Sequence, residues 1–471
     1  MTRSRSSLDL KGKKVVVVGL ARSGFAASKL LASLGAQVTA SDQKPAEALS
    51  VDVGELSSKG VIIETGGHRP ETFFQADLIV LSPGVDLKMP LLREAKAKGI
   101  PILGEAELAY RASRARFIGI TGTKGKGTTT TILGKILERA GFPVVVAGNI
   151  GTPLSEVAPS LGPDHWVVAE LSSFQLEAID RFHPHVAVLL NLAPDHLDRY
   201  ASVEEYYAAK APLFRNQGPS DFAVVNADDE KAKELSKDGR ARRLFFSRLS
   251  RVEEGAFLDG EMLILSRSGR REAICRVGEL KVPGIAIVEN ALAASTAASA
   301  LKVEVATMAE ALLAFQGREH CLEFVGMIDG VLYYNDSKAT NVFAVARALE
   351  SFEVPVILIA GGRDKREGFS LLKPLVWKRV KALILLGEAR EKIKVALDGF
   401  GPVEEAGSME DAVEKAVGAA KAGEVVLLSP GCTSFDMFRS AEDRGRRFKE
   451  AVLKISRQPS AISRQLKAHP L

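Results

Sequence analysis

The sequence has only three cysteines among its 471 residues, and they stand far apart. Cys275, Cys321 and Cys432 form no CxxC pair and no other spacing that is typical of a metal site. The sequence therefore gives no support to a zinc ribbon or to a scaffold built on disulfides. Such scarcity is typical of proteins in a reducing compartment, so we expect a cytoplasmic location.

Long apolar runs and a strong charge of one sign are also missing. No run approaches the roughly 20 apolar residues of a membrane span, and the early run VVVVGL leads into a turn rather than a signal-peptide cleavage site. The net charge of +5 is mild for this length, which gives no case for nucleic acid. We expect no membrane or nucleic-acid partner, and we expect a monomer.

Strands alternate with helical stretches along almost the whole chain. Buried-strand patterns such as KKVVVVGL and PVILIAGG recur between helix-like segments, which is typical of parallel α/β sheets. At about 150 residues per domain, the length suggests roughly three domains, and soft boundaries lie near Gly104 and Gly317. The predicted segments are a first domain at 1–104, a central domain at 105–317, a last domain at 318–456 and a basic, frayed tail at 457–471.

The first domain carries a glycine-containing turn after its first strand. The turn runs from Gly19 to Gly24 and precedes a helix, and Asp42 ends the next strand. This layout is typical of folds in which amides at a helix N-terminus bind a pyrophosphate. Ala21 stands where the dinucleotide fingerprint has its middle glycine. A nicotinamide cofactor, a different diphosphate ligand and a purely structural turn therefore all stay open.

The stretch GITGTKGKGTTT, from Gly119 to Thr130, has the composition of a phosphate-binding loop with altered spacing. Ile120 stands where the common P-loop has its first glycine, and a glycine follows the lysine instead of Ser or Thr. Its glycines let successive amides point at phosphate oxygens. Lys126 would face the β- and γ-phosphates, and Thr128 or Thr129 would offer an oxygen to Mg²⁺. A glycine turn beside a solvated lysine is the alternative.

Three more positions in the central domain are candidates for chemistry. Glu170 ends the strand WVVAE, where a carboxylate is well placed for Mg²⁺, although a solvated strand end is the alternative. His196 lies among acidic residues in NLAPDHLDRY, which favours a metal or catalytic role over an ordinary loop histidine. Lys210, in EEYYAAKAPLF, has the pattern of an ordinary helix lysine.

Together these segments resemble the Mur ligase family, the ATP-dependent enzymes that add amino acids in peptidoglycan synthesis. GTKGKGT at 122–128 matches the loop of the family, and NDSKATN at 335–341 is similar to the members that add D-glutamate. Other matches follow in family order from Lys13 to about Lys449. They are GNIG at 148–151, LSSFQL at 171–176, DHLDRY at 195–200, GGRDK at 361–365 and SPGCTSFD at 429–436.

The resemblance implies a three-domain α/β fold, with a Rossmann-like first domain, a P-loop-type ATPase domain and a Rossmann-like last domain. It implies a ligase that uses ATP to add D-glutamate to UDP-N-acetylmuramoyl-L-alanine through an acyl phosphate, with release of ADP and phosphate. It also implies two Mg²⁺ ions and a carbamylated Lys210, whose new carboxylate would bind the second ion.

The resemblance also gives each site residue an expected role. Catalysis is expected from Lys126, Glu170, His196 and Lys210. Metal binding is expected at Thr128, Glu170, His196 and Lys210. ATP contacts are expected at Gly122, Thr123, Lys124, Gly125, Lys126, Gly127, Thr128, Asn290 and Asp336. The UDP part is expected on Gly19, Ala21, Ser23, Gly24, Asp42, Gln43, Lys44, Ser82 and Gly84, and the muramoyl part on Asn149. D-Glutamate is expected on Lys338, Thr340, Lys365, Ser434 and Phe435.

Four positions depart from the pattern of the family. Ala286, Ile287, Cys321 and Ala441 stand where the family often has His, Asn, Arg and an aromatic residue. Arg318 lies near Cys321 in sequence and is a candidate replacement for the missing arginine. Three other hypotheses about the function stay open. They are another amide ligase, such as a sister Mur enzyme or a folylpolyglutamate synthase, a nucleotide-binding regulator without catalysis, and a nicotinamide dehydrogenase.

Overall fold

The computed structural model describes residues 9–157, 160–196, 199–364 and 368–456. Lys365 and the predicted tail at 457–471 lie outside these residues. The chain divides into two compact units. The first unit runs to Val277 and includes Glu289–Leu312, while the second takes Gly278–Val288 and the chain from Leu313. In the described part of the chain, no helix has the length and apolar composition needed to cross a membrane.

The first sheet has five parallel strands in the order β3-β2-β1-β4-β5. They are β1 (Lys14–Val18), β2 (Gln37–Asp42), β3 (Ile62–Thr65), β4 (Leu78–Leu81) and β5 (Ile102–Gly104). Its helices are α1 (Arg22–Ser33), α2 (Val53–Ser58), α3 (Pro70–Phe74) and α4 (Pro90–Ala97), with a 3₁₀ turn at Ala46–Ala48.

Both faces of this sheet are covered. Val15 and Val17 of β1 belong to one hydrophobic core, whereas Val16 and Val18 belong to another, as the alternation of side chains along a strand requires. The order of the strands reverses between β1 and β4. The loops that follow these two strands therefore border a crevice at the carboxyl edge of the sheet, where ligands bind in open α/β folds.

The second sheet has nine strands in the order β14-β13-β12-β11-β10-β9-β6-β8-β7. They are β6 (Arg116–Thr121), β7 (Val144–Gly148), β8 (Trp166–Glu170), β9 (Val186–Leu189), β10 (Phe222–Asn226), β11 (Arg242–Ser247), β12 (Gly255–Asp259), β13 (Met262–Arg267) and β14 (Arg270–Arg276). All neighbouring strands between β7 and β12 in this order pair in parallel. Strands β12, β13 and β14 form an antiparallel meander.

Helices α5 to α13 accompany the second sheet. They are α5 (Glu105–Ala112), α6 (Lys126–Arg139), α7 (Leu154–Val157), α8 (Ser173–Glu177), α9 (Val203–Ala208), α10 (Pro212–Arg215), α11 (Glu230–Leu235), α12 (Ile285–Ala300) and α13 (Val305–Ala314), with a 3₁₀ turn at Val277–Glu279. The core beneath β6, β8 and β9 contains three aromatic rings in mutual contact, those of Tyr110, Phe117 and Phe182. Phe117 packs edge to face with the other two rings, which are tilted relative to each other.

The third sheet has six strands in the order β15-β16-β20-β17-β18-β19, and only β15 is antiparallel to its neighbour. They are β15 (Glu323–Ile328), β16 (Val331–Asn335), β17 (Val356–Gly361), β18 (Val380–Leu386), β19 (Val403–Ala406) and β20 (Val425–Leu428). The helices are α14 (Val342–Glu350), α15 (Lys373–Arg379), α16 (Arg390–Ala396), α17 (Met409–Ala419) and α18 (Ala441–Ser456), with a 3₁₀ turn at Phe369–Leu372.

These sheets confirm the predicted α/β class, and parallel strands predominate as expected. The antiparallel meander of β12 to β14 was not among the predictions. The predicted domain boundaries, after residues 104 and 317, stay a prediction.

Candidate active site

The phosphate-binding loop connects β6 to α6, and Gly125 is its tightest position. Gly125 has φ +84°, and a Cβ atom there would lie 2.3 Å from Oδ1 of Asn290. That oxygen accepts a hydrogen bond from the Thr129 hydroxyl at 3.1 Å. Glycine is required here both by the backbone conformation and by the space. Asn290 therefore supports the loop, and its expected contact with ATP stays a prediction.

Lys126 is the first residue of α6 and folds back over the loop. Its Nζ donates to the carbonyl oxygens of Gly122 at 2.9 Å and Thr123 at 3.1 Å. Burial lowers the pKa of Lys126, while the negative charge of Glu170 acts in the opposite direction. The ammonium and the free amides of the first helical turn together form a site suited to an anion.

The threonines after Lys126 differ in whether their hydroxyls form hydrogen bonds within the protein. The hydroxyls of Thr129, Thr130 and Thr131 all donate to protein acceptors. Within the described residues the Thr128 hydroxyl has no hydrogen-bond partner, and its side chain is only partly buried. Of the two threonines considered from the sequence, Thr128 is therefore the one available to a metal or phosphate.

The other side of the loop is tied to the segment after β9. The Thr123 amide donates to the carbonyl of Asn191 at 2.9 Å, and the Lys124 amide donates to the side-chain oxygen of Asn191 at 2.8 Å. Lys124 also forms an ion pair with Asp195 at 3.1 Å. These bonds bring the histidine segment against the phosphate loop.

His196 lies in that segment with φ +54°. Its ring meets the rings of Phe174 and Tyr206 edge-on, with centroids 4.9 and 5.9 Å away. Two aromatic rings therefore flank the imidazole of His196, which is otherwise exposed.

Glu170 ends β8, which pairs with β6, so its carboxylate lies at the same sheet edge as the phosphate loop. The side chain is buried, and Oε1 accepts a hydrogen bond from the Asn149 amide at 2.8 Å. Oε2 is buried without a hydrogen-bond partner. A buried carboxylate oxygen is costly unless a donor or a cation satisfies it, so Glu170 fits the role of a metal ligand.

Lys210 is not the ordinary helix lysine that its local sequence indicates. It lies between α9 and α10 and is 1% exposed, with its Nζ 3.8 Å from the centroid of the Tyr206 ring. Burial, followed by the positive charge of Lys126, lowers the pKa of Lys210 to about 7. A large fraction of this amine is therefore neutral near neutral pH.

The candidate metal ligands do not form a conventional set. Across the described ranges, no three His, Cys, Asp or Glu side chains are grouped in a way that could hold a metal ion. The candidates instead combine the hydroxyl of Thr128, the carboxylate of Glu170, the imidazole of His196 and the amine of Lys210.

The turn expected to bind the UDP part is closely packed. A Cβ atom on Gly24 would lie 1.8 Å from the carbonyl oxygen of Gly19, which itself has φ +87°. Asp42 accepts from the Leu20 amide at 2.6 Å and from the Lys44 amide at 2.8 Å. The carboxylate thus shapes the turn, while Ala21, Gln43, Lys44 and Gly84 are exposed, Ser23 is half-buried and Ser82 is buried.

In the second unit, the loops after β16 and β20 carry most of the residues expected to bind D-glutamate. Lys338 is 41% exposed and pairs with Glu442 at 3.4 Å. Ser434 is buried, Thr340 is half-buried and Phe435 is 63% exposed. Lys365, predicted for the same pocket, lies outside the described residues.

Asp336, which was expected to contact ATP, is buried in the second unit. Its carboxylate accepts hydrogen bonds from the Leu322 amide and the Ser429 hydroxyl, both at 3.0 Å. Burial raises the pKa of Asp336 to about 7. The contact with ATP stays a prediction.

Two buried or largely buried arginines that bind backbone carbonyls near the candidate sites were not among the predicted site residues. In the second unit Arg444 is fully buried and donates to the hydroxyl and carbonyl of Ser337 and to the carbonyls of Cys432 and Thr433. In the first unit Arg199 donates to the backbone after β4. Arg199 lies within the segment DHLDRY that matches the family, but no role was predicted for it. No local signal marks Arg444, because its acceptors are mostly backbone oxygens.

Three family models match: Mur ligase MurD-like, N-terminal domain over residues 13–104, Mur ligase middle domain over 120–298, and Mur ligase, glutamate ligase domain over 320–432.

Individual relatives match over nearly their full length. The sequence is 46% identical over 448 residues to UDP-N-acetylmuramoylalanine--D-glutamate ligase of Acidobacterium capsulatum, covering 95% of this chain and 97% of the relative. It is 44% identical over 451 residues to the protein of that name from Pelotomaculum thermopropionicum, covering 95% and 99%. MurF from Acinetobacter baumannii shares the fold, with a TM-score of 0.59 at 17% identity over 92% of this chain and 93% of that one.

Proposed function

Because the chain belongs to the Mur ligase family, we propose that it joins D-glutamate to UDP-N-acetylmuramoyl-L-alanine with the energy of ATP. It is an ATP-dependent ligase of peptidoglycan precursor synthesis. The observation that carries this proposal is the identity of 41–46%, over nearly the whole chain, to relatives named UDP-N-acetylmuramoylalanine--D-glutamate ligase. The use of ATP and a nucleotide sugar as substrates favours a cytoplasmic location.

The reaction must activate a carboxylate that is a poor acyl donor. Transfer of the γ-phosphoryl group of ATP to the alanyl carboxylate gives an acyl phosphate and ADP. The amine of D-glutamate then attacks the acyl carbon, the C–O bond to phosphate breaks, and the amine loses a proton. Lys126 would exchange its bonds to the carbonyls of Gly122 and Thr123 for bonds to phosphate oxygens.

The proposed metal ligands are four polar side chains near the phosphate loop. Thr128 and Glu170 would hold one Mg²⁺ ion, and His196 with Lys210 would hold a second. Bound Mg²⁺ neutralises charge on the phosphate oxygens and so favours transfer. The buried Oε2 of Glu170, which has no hydrogen-bond partner, supports this assignment.

We further propose that Lys210 is carbamylated. An ammonium cannot bind a cation, whereas the carbamate formed from the neutral amine and CO₂ carries two oxygen ligands. Burial of Lys210 and its lowered pKa, about 7, favour the neutral amine that this reaction requires.

D-Glutamate would bind in the second unit. Lys338 would exchange Glu442 for one substrate carboxylate, and Lys365 with the hydroxyl of Ser434 would bind the other. Thr340 and Phe435 would line the same pocket. Fixing both carboxylates leaves the amine one direction, which makes the reaction selective for one enantiomer.

The decisive experiment is phosphate release from ATP in the presence of UDP-N-acetylmuramoyl-L-alanine and one of four amino acids. We expect activity with D-glutamate, a rate lower by at least about 100-fold with L-glutamate because its amine is misplaced, and none with L-alanine or meso-diaminopimelate. The Lys126→Ala variant should be folded and inactive. Activity with another amino acid would indicate a sister enzyme, and ATP binding without any phosphate release would favour the regulator.

A further inference from the structure

Arg199 joins the histidine segment to the loop after β4. Its guanidinium donates to the carbonyl oxygens of Pro83, Gly84 and Val85 at 3.0–3.4 Å. The side chain is 14% exposed. A planar guanidinium with five donors suits a row of carbonyls, which the single ammonium of lysine cannot reproduce.

The same guanidinium is fixed on its other side by two contacts. It pairs with Glu177 at 3.1 Å and lies 4.1 Å from the ring centroid of Phe174. Phe174 also meets the ring of His196 edge-on at 4.9 Å. One aromatic ring therefore contacts both the arginine and the candidate metal ligand.

We propose that Arg199 is a positioning residue that couples the loop at 82–85 to the orientation of His196. This inference rests on the proposed function, in which the loop binds the UDP part and His196 binds Mg²⁺. A bound nucleotide sugar fixes the row of carbonyls, and the guanidinium then keeps Phe174 against the imidazole. Loss of the planar donor group frees this ring, so binding at one site no longer favours binding at the other.

A second contact between the same parts of the chain provides a control. Lys88 pairs with Glu205 at 2.7 Å, and both side chains are largely exposed. Within the described residues, neither side chain has a ring contact with Phe174 or His196. Lys88→Ala therefore weakens the attachment of the first sheet without touching the link through Phe174.

The test measures coupling between ligands by calorimetry. The dissociation constant of UDP-N-acetylmuramoyl-L-alanine is measured in EDTA, and again with Mg²⁺ and a non-hydrolysable ATP analogue, for wild type, Arg199→Lys, Phe174→Leu and Lys88→Ala. We expect about tenfold tighter binding with the Mg²⁺ complex in wild type and Lys88→Ala, and less than about twofold in Arg199→Lys and Phe174→Leu. The apparent Mg²⁺ constant for phosphate release should rise about tenfold in Arg199→Lys.

Coupling that is absent in wild type, retained in Arg199→Lys, or lost equally in Lys88→Ala would overturn the proposal. If Arg199→Lys fails to fold, as a thermal melt would show, Phe174→Leu provides the same test with the carbonyl contacts intact. The proposed function is judged separately, because D-glutamate-dependent phosphate release by wild type does not depend on the variants.

Discussion

The amide of Asn149 donates to Oε1 of Glu170 at 2.8 Å, while Oε2 of the same carboxylate is buried without a hydrogen-bond partner. One oxygen is thus committed to the protein and fixes the direction of the other. A carboxylate oriented in this way can bind a cation without first reorganising, which is what a metal site beside a phosphate loop requires.

Glu170→Gln should abolish phosphate release without weakening the metal-free fold. Glutamine can still accept from Asn149, and it removes a buried charge whose unsatisfied oxygen costs about 1–3 kcal/mol. We expect activity to fall by at least about 100-fold and the melting temperature in EDTA to equal or exceed that of wild type. Stabilisation by Mg²⁺ with an ATP analogue should disappear. A clearly lower melting temperature in EDTA would instead indicate a structural carboxylate.

Gly125→Ala should inactivate the enzyme by deforming the phosphate loop. The backbone has φ +84°, and the new Cβ would clash with the side-chain oxygen of Asn290 at 2.3 Å. We expect a loss of stability of about 1–3 kcal/mol from strain and displacement of that side chain, and no measurable ATP turnover. Gly418→Ala in α17 is the control, because nothing lies within 4 Å of its Cβ position. That variant should be as stable as wild type or up to about 1 kcal/mol more stable.

Individual residues show how much of the site the sequence could predict. The phosphate loop and Glu170 follow from local patterns, namely glycines and a carboxylate placed directly after buried strands. The environment of Lys210 does not, because the fold buries it against the ring of Tyr206, and that burial, followed by the nearby charge of Lys126, lowers its pKa. Arg444 had no local signal either.

The fold itself shows a similar division. Alternation of strands and helices predicted the parallel sheets correctly, because each strand pattern is local. The meander of β12 to β14 depends on which strands pair and in which direction. The alternation of apolar and polar residues along the sequence does not specify this pairing. Asp42 illustrates the limit for single residues: its place at a strand end was predicted, but its bonds to the turn amides became visible only in the structure.

Glu105→Gln should change how stability depends on pH. Glu105 is buried at the start of α5 and accepts from the Ser155 amide at 2.6 Å, and burial raises its pKa from 4.5 to about 7. Between these two values the folded state binds a proton that the unfolded state does not, so the free energy of unfolding falls as pH rises.

Glutamine keeps the acceptor and removes this dependence. Relative to wild type, we expect Glu105→Gln to gain on the order of 1–3 kcal/mol when the pH is raised from about 5 to about 8. Urea unfolding at the two pH values measures the difference, with phosphate release as the check on an intact site. An equal difference at both pH values would contradict the assignment of a raised pKa.

Arg444→Lys should weaken D-glutamate binding more than ATP binding. Arg444 holds the loops of Ser337 and Cys432 together from a fully buried position, and lysine cannot satisfy all of their oxygens. We expect a loss of about 2–4 kcal/mol in stability and a KM for D-glutamate raised at least about tenfold, with the KM for ATP within about threefold. Arg446→Ala on the same helix removes an exposed ion pair and should change neither the stability nor the two KM values. Equal increases in both KM values would show a general loss of structure.

Lys210→Ala should lose most activity and regain part of it with formate or acetate, which would replace the missing carbamate oxygens. Lys231→Ala, at an exposed lysine, should keep its activity without added carboxylate.

The pH should also decide how readily Lys210 is carbamylated. Because the pKa of Lys210 is about 7, its amine is mostly neutral above that pH and protonated below it. Wild type depleted of CO₂ should therefore recover activity with bicarbonate more readily at about pH 8 than at about pH 6. Isotope-labelled bicarbonate should also give a carbamate NMR signal in wild type that Lys210→Ala lacks. Absence of both the signal and the rescue would exclude carbamylation and leave His196 as the one remaining proposed ligand of the second ion.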